Sequence, residues 1–491
     1  MRSIRRLAFA LVLVAWGHGL LAEEAAPVRY LAFQIFTDGS DKFGSEELRA
    51  CFPPPPKDYP ATAANLRDAI GTAGTDNRKL GCIVGPIAFD TPDDKVRALI
   101  SSGFDVALKT GTAVGFHIDD SMFWRRLKEL NTIENVEWLD WDRTANTGRR
   151  LDWSEKPKKV MPQLCFNSKA VKEAVAGRAG LIGEEVTNGI QKLRAAGQED
   201  LFIGVIAGWE TQIGRDCATG KYLGYCALAN LGFSARNPPA DMDRERCKIV
   251  IDFISFWAQS LVTAGVPKGK VYSHIAFTSD VRYRMSTFSN SSPVPVSCLQ
   301  TSNFTPPETA FNAFCVPGLS TYPQPGYLEQ WQEQLKRHGN PPWASCEGTA
   351  IDPGVAALNG SGVGTEGYLG NLFNHGAVLV NIFGWGVGDR DNPFRKIAEG
   401  NDAMAAYRKF LRGQDLAEAP LPVPSMPPAD LPDRVHKIQA LLPAWVKKHG
   451  PAEVKPLMEK LDGSLKQHQF ETASQTADAI LRLLEDERTE K

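Results

Sequence analysis

Eight short apolar runs, bounded by turn residues and mostly separated by longer segments of helical periodicity, constrain this chain more than any other feature. The runs are RYLAFQIFT (29–37), GCIVGPIAF (81–89), AVGFHIDD (113–120), LFIGVIAGW (201–209), KVYSHIAFT (270–278), a sixth within 310–322, PWASCEG (342–348) and AVLVNIFGW (377–385). Helical patterns fall at 92–111 (its first half, opening on acids after Pro92), 169–197, 243–265, 329–339 and 403–414. Eight buried strands alternating with helices predict a (β/α)8 TIM barrel over 23–415, with an open doubly wound sheet as the alternative. The connections at 121–168 and 278–310 exceed what a minimal barrel needs. Such insertions belong at the C-terminal ends of the strands, where an active site is built.

After the barrel comes a Pro-dense linker at 416–432, then a small all-α domain at 433–491. Its helices are expected at 434–450, 452–463 and 465–487. Phe470, Ala473, Ala477, Ile480, Leu481 and Leu484 form a stripe that reads as that domain's own core.

The 491 residues carry a net charge of −2, which gives no global electrostatic case for nucleic acid or an anionic membrane as partner. Arg2, Arg5 and Arg6 precede an apolar run at 7–16, and Ala22 precedes Glu23. That pattern predicts a signal peptide over 1–22 and a secreted or periplasmic product, with a retained membrane anchor as the alternative. Nine cysteines suit an oxidising compartment, with Cys217–Cys226, Cys298–Cys315 and Cys51–Cys82 as candidate disulfides and at least one thiol left over.

Two runs end on a lone acid: Glu210 follows the fourth strand and Glu347 closes the seventh. In a closed ring all C-terminal strand ends share one mouth, so these carboxyls are expected to face each other across it. Paired carboxyls there suit glycoside hydrolysis, one protonating the leaving oxygen while the other attacks the anomeric carbon or activates water.

The layout resembles the retaining glycoside hydrolases of clan A, and the 137-residue spacing of the two acids is typical of them. The resemblance covers roughly 29–414. It implies Glu210 in GWET as acid/base, Glu347 in SCEG as nucleophile, Trp385 as floor of a sugar subsite, Tyr322 as a hydrogen-bond partner of the nucleophile, and a β-linked glycan as substrate. Most of the clan has Asn before the acid/base; this chain has Trp209.

Other residues are candidates for contact with the carbohydrate: Asp38 after the first strand, His117, Asp119 and Asp120 ending the third, His274 on the fifth, and Trp343 on the seventh. Trp124, Trp138, Trp141, Trp153 and Trp209 also fall near strand ends or loops, where flat rings suit pyranose faces or simply pack. His117, Asp119 and His274 are an alternative metal set for a different hydrolase. With only His117, His274, His338 and His375 in the barrel, no metal or other cofactor is expected. A barrel that binds carbohydrate without cleaving it is the remaining alternative. GSGVGTEG (360–367) lacks the Lys-Ser/Thr of a phosphate loop and reads as an ordinary loop.

Overall fold

The computed structural model describes residues 27–36, 59–148, 161–277, 279, 306–324, 326–351, 363–386, 390–421, 428, 430–466 and 469–485. Eight strands form one parallel sheet: β1 (Arg29–Ile35), β2 (Arg78–Ile87), β3 (Ala113–Ile118), β4 (Phe202–Ala207), β5 (Val271–Ser273), β6 (Gly318–Ser320), β7 (Trp343–Gly348) and β8 (Ala377–Ile382). Their order is β5-β4-β3-β2-β1-β8-β7-β6. The two edges meet each other, through parallel bridges Tyr272↔Val316 and Ile275↔Leu319. Hydrogen bonds Val316 N→Val271 O (2.8 Å), Ser273 N→Val316 O (3.1 Å) and Ser320 N→Ile275 O (3.1 Å) complete the seam. The ring is therefore closed and the open-sheet alternative falls.

Inside the ring, glycines make room for branched chains. A Cβ on Gly81 would sit 2.5 Å from Ile203 Cδ1, and one on Gly115 would sit 2.6 Å from Ile83 Cδ1. Ile83 and Ile203 thus fill the lower barrel. Because side chains alternate along a strand, His117, two residues past Gly115, points into the ring above them.

The outer helices follow the sequence pattern closely. The helix Asp93–Thr110 runs past its expected first half because Phe104, Val106 and Ala107 keep its buried face continuous, and Gly111 ends it in a left-handed conformation (φ 68°). Lys169–Ala195 starts at Ser168, whose hydroxyl accepts from Val171 N, and Met242–Thr263 starts at Asp241, whose carboxylate accepts from Arg244 N. Tyr327–Arg337 and Asn401–Leu411 lie where the periodicity places them. The short helices Tyr59–Ile70, Tyr225–Asn230, Thr365–Phe373 and Pro393–Ala398 were not legible as helices.

Two expectations need correction here. The Gly-rich run is not all loop, since Thr365 opens a helix. Its glycines serve packing: Cβ atoms on Gly367 and Gly370 would meet Ala419 Cβ at 2.3 Å and Ala417 O at 2.2 Å. The start of the Pro-rich linker is strapped there, with Asn371 exchanging hydrogen bonds with the Ala419 backbone (2.8 and 3.1 Å). Second, Cys82, Cys165, Cys217, Cys226, Cys247, Cys315 and Cys346 form no disulfide, so none of the three proposed pairings is made. Cys226 is the second residue of the helix Tyr225–Asn230 and its thiol faces the Glu134 carbonyl (3.6 Å), while Cys217 belongs to a turn organised by Asp216. Cys51, Cys298, Trp153, Asp38 and the segment 1–22 lie outside the described residues, as do 422–427 and 429 of the linker.

Helices Leu431–His449, Lys455–Lys466 and Phe470–Glu485 enclose a separate apolar core that includes the expected stripe. Among the described residues no helix is long and apolar enough to cross a membrane.

Glycine substitutions separate the strap from the helix. Gly370→Ala forces a Cβ against a backbone carbonyl and should destabilise by about 1–3 kcal/mol. Gly177→Ala, on the helix Lys169–Ala195 with nothing within 4 Å, should stabilise by about 0.5–1 kcal/mol. Urea denaturation of both variants checks the opposite signs.

Candidate active site

Strand polarity gathers the site at one mouth. Glu210 lies three residues past β4, and Glu347 is the penultimate residue of β7. Both are largely buried, 7% and 8% exposed. The end of β6 bridges them. The Ser320 hydroxyl is 2.9 Å from Glu210 Oε1, and the Tyr322 hydroxyl donates to Glu347 Oε1 at 2.7 Å. Ser320 and Tyr322 are two positions apart, so extended backbone sends both side chains to the same face. Burial, then Glu347, then Glu210 push the Tyr322 phenol well above its ordinary range, so it is a donor at neutral pH and feels both carboxyls.

Local backbone explains how Glu210 is presented. Its φ is 52°, a left-handed conformation that costs a non-glycine residue about 1–2 kcal/mol. Gly208, also left-handed (φ 110°), begins the turn, and a Cβ there would sit 2.4 Å from Thr211 Oγ1. Thr211 pins the turn, its hydroxyl on Asp120 Oδ2 and its N–H on the His274 carbonyl (3.2 Å). Glu347 is fixed through its own backbone: its carbonyl accepts from Thr321 N (2.7 Å), and the Thr321 hydroxyl bonds Ser345 (2.6 Å) and Tyr368 (2.7 Å).

Beneath the mouth lies a continuous polar layer. Asn381 Nδ2 donates to Cys346 O and to Gln34 Oε1, both at 2.7 Å. Gln34 Nε2 donates to Gly85 O (2.5 Å). His117 Nδ1 is 3.3 Å from Gln34 Oε1, its Nε2 is 3.1 Å from His274 Nδ1, and His274 Nε2 is 2.9 Å from Ser320 Oγ. The layer therefore runs Asn381–Gln34–His117–His274–Ser320–Glu210. Burial lowers the His117 pKa to about 3 and takes His274 well below its ordinary value, with His117 adding to the second shift. Both rings are neutral at neutral pH.

This arrangement corrects several expectations. His117 and His274, expected at the carbohydrate, are wholly buried under the mouth, with their ring nitrogens committed to the polar layer. Asp119 faces neither ring. It accepts from the N–H groups of Phe89, Ser121, Met122 and Phe123 (2.7–3.3 Å), and burial raises its carboxyl against their pull. The trio read as a metal alternative is thus committed elsewhere, and no group of three or more His, Cys, Asp or Glu able to hold a metal occurs among the described residues. Asp120 supports the Glu210 turn and is 1% exposed. Trp343 opens β7 at the opposite end of the barrel from Glu347, wholly buried, with its indole on the His375 carbonyl (2.8 Å). Trp124 and Trp138 are also core. Trp209 packs edge-on against His117 (6.0 Å) and beside Phe123 (5.6 Å). Trp385 stays half-buried beside the Phe33 ring (5.3 Å) at the mouth.

Gln34, Ser320 and Asn381 were missed. Gln34 and Asn381 were readable in principle as lone amides interrupting buried apolar strands (AFQIF, VLVNIF).

No family model and no curated protein matches the chain. Among solved structures it is similar to the catalytic domain of a β-amylase from Paenibacillus polymyxa (8% identity, covering 79% of this chain and 98% of that one, TM-score 0.46). It is also similar to a xyloglucan-specific β-1,4-glucanase from a ruminal metagenomic library (9%, 80% and 96%, TM-score 0.37). A third is a broad-specificity endoglucanase from an uncultured bacterium (8%, 77% and 93%, TM-score 0.38). All three are glycoside hydrolases; the barrel itself rests on the strand pairing.

Neutral buried histidines make stability depend on pH. Unfolded, both titrate near 6.5, so below that pH the unfolded chain binds protons the folded one refuses. Their contribution is complete above about pH 6.5 and is lost as pH falls toward about 3. Between pH 6.5 and 5, stability should fall by up to about 1.4 kcal/mol per pH unit for each ring. Urea denaturation across that range checks the slope, and His274→Gln should flatten it.

Proposed function

We propose that the protein is a glycoside hydrolase that cleaves a β-linked glycan with retention, using Glu210 as acid/base and Glu347 as nucleophile. The observation that carries this reading is the pairing at the end of β6: Ser320 on Glu210 and Tyr322 on Glu347, two positions apart on one strand end. In the first step Glu347 attacks the anomeric carbon while the Glu210 proton passes to the departing glycosidic oxygen. In the second, water attacks the same carbon, Glu347 leaves as a carboxylate, and the water's proton returns to Glu210. Tyr322 holds Glu347 Oε1 and orients the carboxylate. The choice of β-linkage and of retention comes from the clan resemblance, and Trp385 is proposed as the sugar-facing ring. The basic-then-apolar segment 1–22 supports export to the periplasm or exterior.

A panel of chromogenic glycosides and polysaccharides tests the reading. Wild type should cleave at least one member, and Glu210→Gln and Glu347→Gln should each lose about 10²–10⁴-fold or more. Tyr322→Phe, which removes a hydrogen bond to a charged group, should lose about 10–100-fold. NMR of the first-formed anomer should show retention; an inverted product refutes the nucleophile assignment. Binding of a glycan without cleavage, unchanged in both Glu→Gln variants, would establish the non-catalytic alternative. N-terminal sequencing of the exported protein should begin at Glu23, and a start at Met1 rejects the signal peptide.

A further inference from the structure

Two cysteines that sequence spacing does not pair meet where the connections after β3 and β4 join at the barrel mouth. Cys165 lies three residues before Ser168, the N-cap of the helix Lys169–Ala195. Cys226 belongs to the helix Tyr225–Asn230, on the connection that also carries Glu210. Hydrogen bonds from both sides fix the thiols. Cys165 N donates to Asn135 O (2.8 Å), and the Cys226 thiol faces the carbonyl of the preceding residue, Glu134 (3.6 Å). From the helix, Asn230 Nδ2 donates to Cys165 Sγ (3.3 Å). Asn230 is four residues past Cys226 and so shares its helix face. Asn167, two residues past Cys165, donates to Ala227 O (2.8 Å). The two thiols therefore lie side by side, and they hydrogen bond each other. They are 0% and 1% exposed, and reduced in this structure. A single buried cysteine packs as a small apolar side chain. Two thiols in contact from positions 61 apart in sequence are a different arrangement.

A buried acid faces the pair. Glu137 Oε2 accepts from Cys226 N (3.0 Å) and from Ala227 N (3.5 Å), and its Oε1 has no hydrogen-bond partner. Burial pushes this carboxyl up to about 7. The Cys226 thiol, then burial, then Glu137 push the Cys165 thiol well above its ordinary range, so a thiolate there is opposed in the folded chain.

We propose that Cys165 and Cys226 are a disulfide site, closed as the chain folds by exchange with a small disulfide oxidant of the oxidised-glutathione class, and that the bond staples the two connections at the mouth. While the chain is open, one cysteine thiolate attacks a sulfur of the oxidant, forms a mixed disulfide and releases one glutathione thiolate. The second cysteine thiolate attacks the protein sulfur of that mixed disulfide and expels the other glutathione thiolate. The two electrons and the two thiol protons end on two glutathione thiols, and the protein gains one S–S bond. That bond needs its sulfurs at about 2.05 Å, closer than hydrogen-bonded thiols stand, so it draws the short helix toward Cys165. Burial then traps it. Reduction must expel a thiolate, and at Cys165 burial and Glu137 oppose that charge. The site is independent of the hydrolytic assignment of Glu210 and Glu347. In the cell it closes only where export delivers the chain to an oxidising compartment.

Peptide mapping tests the site. The full chain is unfolded in urea with reductant, refolded into a glutathione redox buffer, blocked with iodoacetamide and digested without reduction. Mass spectrometry should find the Cys165 and Cys226 peptides predominantly joined to each other. Recovery of both as alkylated thiols, or joined to other cysteines, overturns the proposal. Should refolding fail in that buffer, the same map of the chain produced in a bacterial periplasm decides in the same way. Oxidised wild type should unfold at a higher urea concentration than wild type kept in dithiothreitol, because the bond closes a long loop in the unfolded chain. The double variant Cys165→Ser, Cys226→Ser should show no such difference. A wild-type midpoint that reductant does not move, or one that moves equally in the double variant, refutes the staple. In native buffer the bond should be reduced about tenfold or more slowly than in urea at the same dithiothreitol concentration; equal rates refute its burial between these two elements. No glycan enters these measurements, so their outcome is separate from that of the hydrolysis panel.

Discussion

Closure of the ring between β5 and β6 is the constraint on which the rest of the structure depends. These are the two shortest strands, three residues each, and their seam is a few backbone hydrogen bonds rather than a long ladder. The same seam seats His274 and Ser320. Ile275, next to His274, is the residue whose carbonyl receives Ser320 N. Joining the sheet's edges and joining the histidine relay to Glu210 are one event in the backbone, so a barrel opened there would lose its acid's support before it lost its apolar core.

A barrel interior is normally filled by branched apolar chains, and the lower ring here follows that rule with Ile83 and Ile203. The upper layer does not: Gln34, His117, His274, Ser320 and Asn381 are each 0–4% exposed. Burying such groups is costly unless each finds a partner, and partly satisfied networks are worse than none. In this layer the atoms that link one residue to the next are engaged, the Asn381 Oδ1 atom is buried without a hydrogen-bond partner, and the chain ends on a backbone carbonyl at one side and on Glu210 at the other. The polar layer thus spans the barrel from β8 to a carboxyl at the mouth.

Much of this architecture was legible in the sequence because its signal is periodic. Each of the eight apolar runs coincides with a strand, β2 starting three residues before its run, and the long helices fall where 3.6-residue periodicity puts them, since burial of one face dictates both. That Glu210 and Glu347 stand at one mouth was legible because strand polarity alone brings strand ends together, whereas the Tyr322–Glu347 hydrogen bond was implied only by the clan resemblance. What could not be read was direction within a strand end. Trp343 and Glu347 belong to one six-residue strand, yet about 13 Å of extended backbone separates base from mouth. Nor could the sequence say that Asp119 would spend its oxygens on four local N–H groups, or that His117 would point inward to Gln34. Those outcomes depend on the turn after β3 and on the Asn381 side chain from β8, which is hundreds of residues away in sequence.

The left-handed backbone at Glu210 ties these threads together. An unfavourable conformation persists only where surrounding contacts over-determine it. Here they come from three strand ends: Asp120 after β3, the His274 carbonyl after β5 and the Ser320 hydroxyl on β6. Extended backbone at this position would carry the carboxyl along β4, away from Ser320. The turn instead directs it toward Ser320 and Tyr322, on the side of the mouth where Glu347 stands. The strain at Glu210 is thus what places two acids from opposite sides of a ring over one opening, and the contacts that hold the strain are the same ones that connect Glu210 to the relay beneath it.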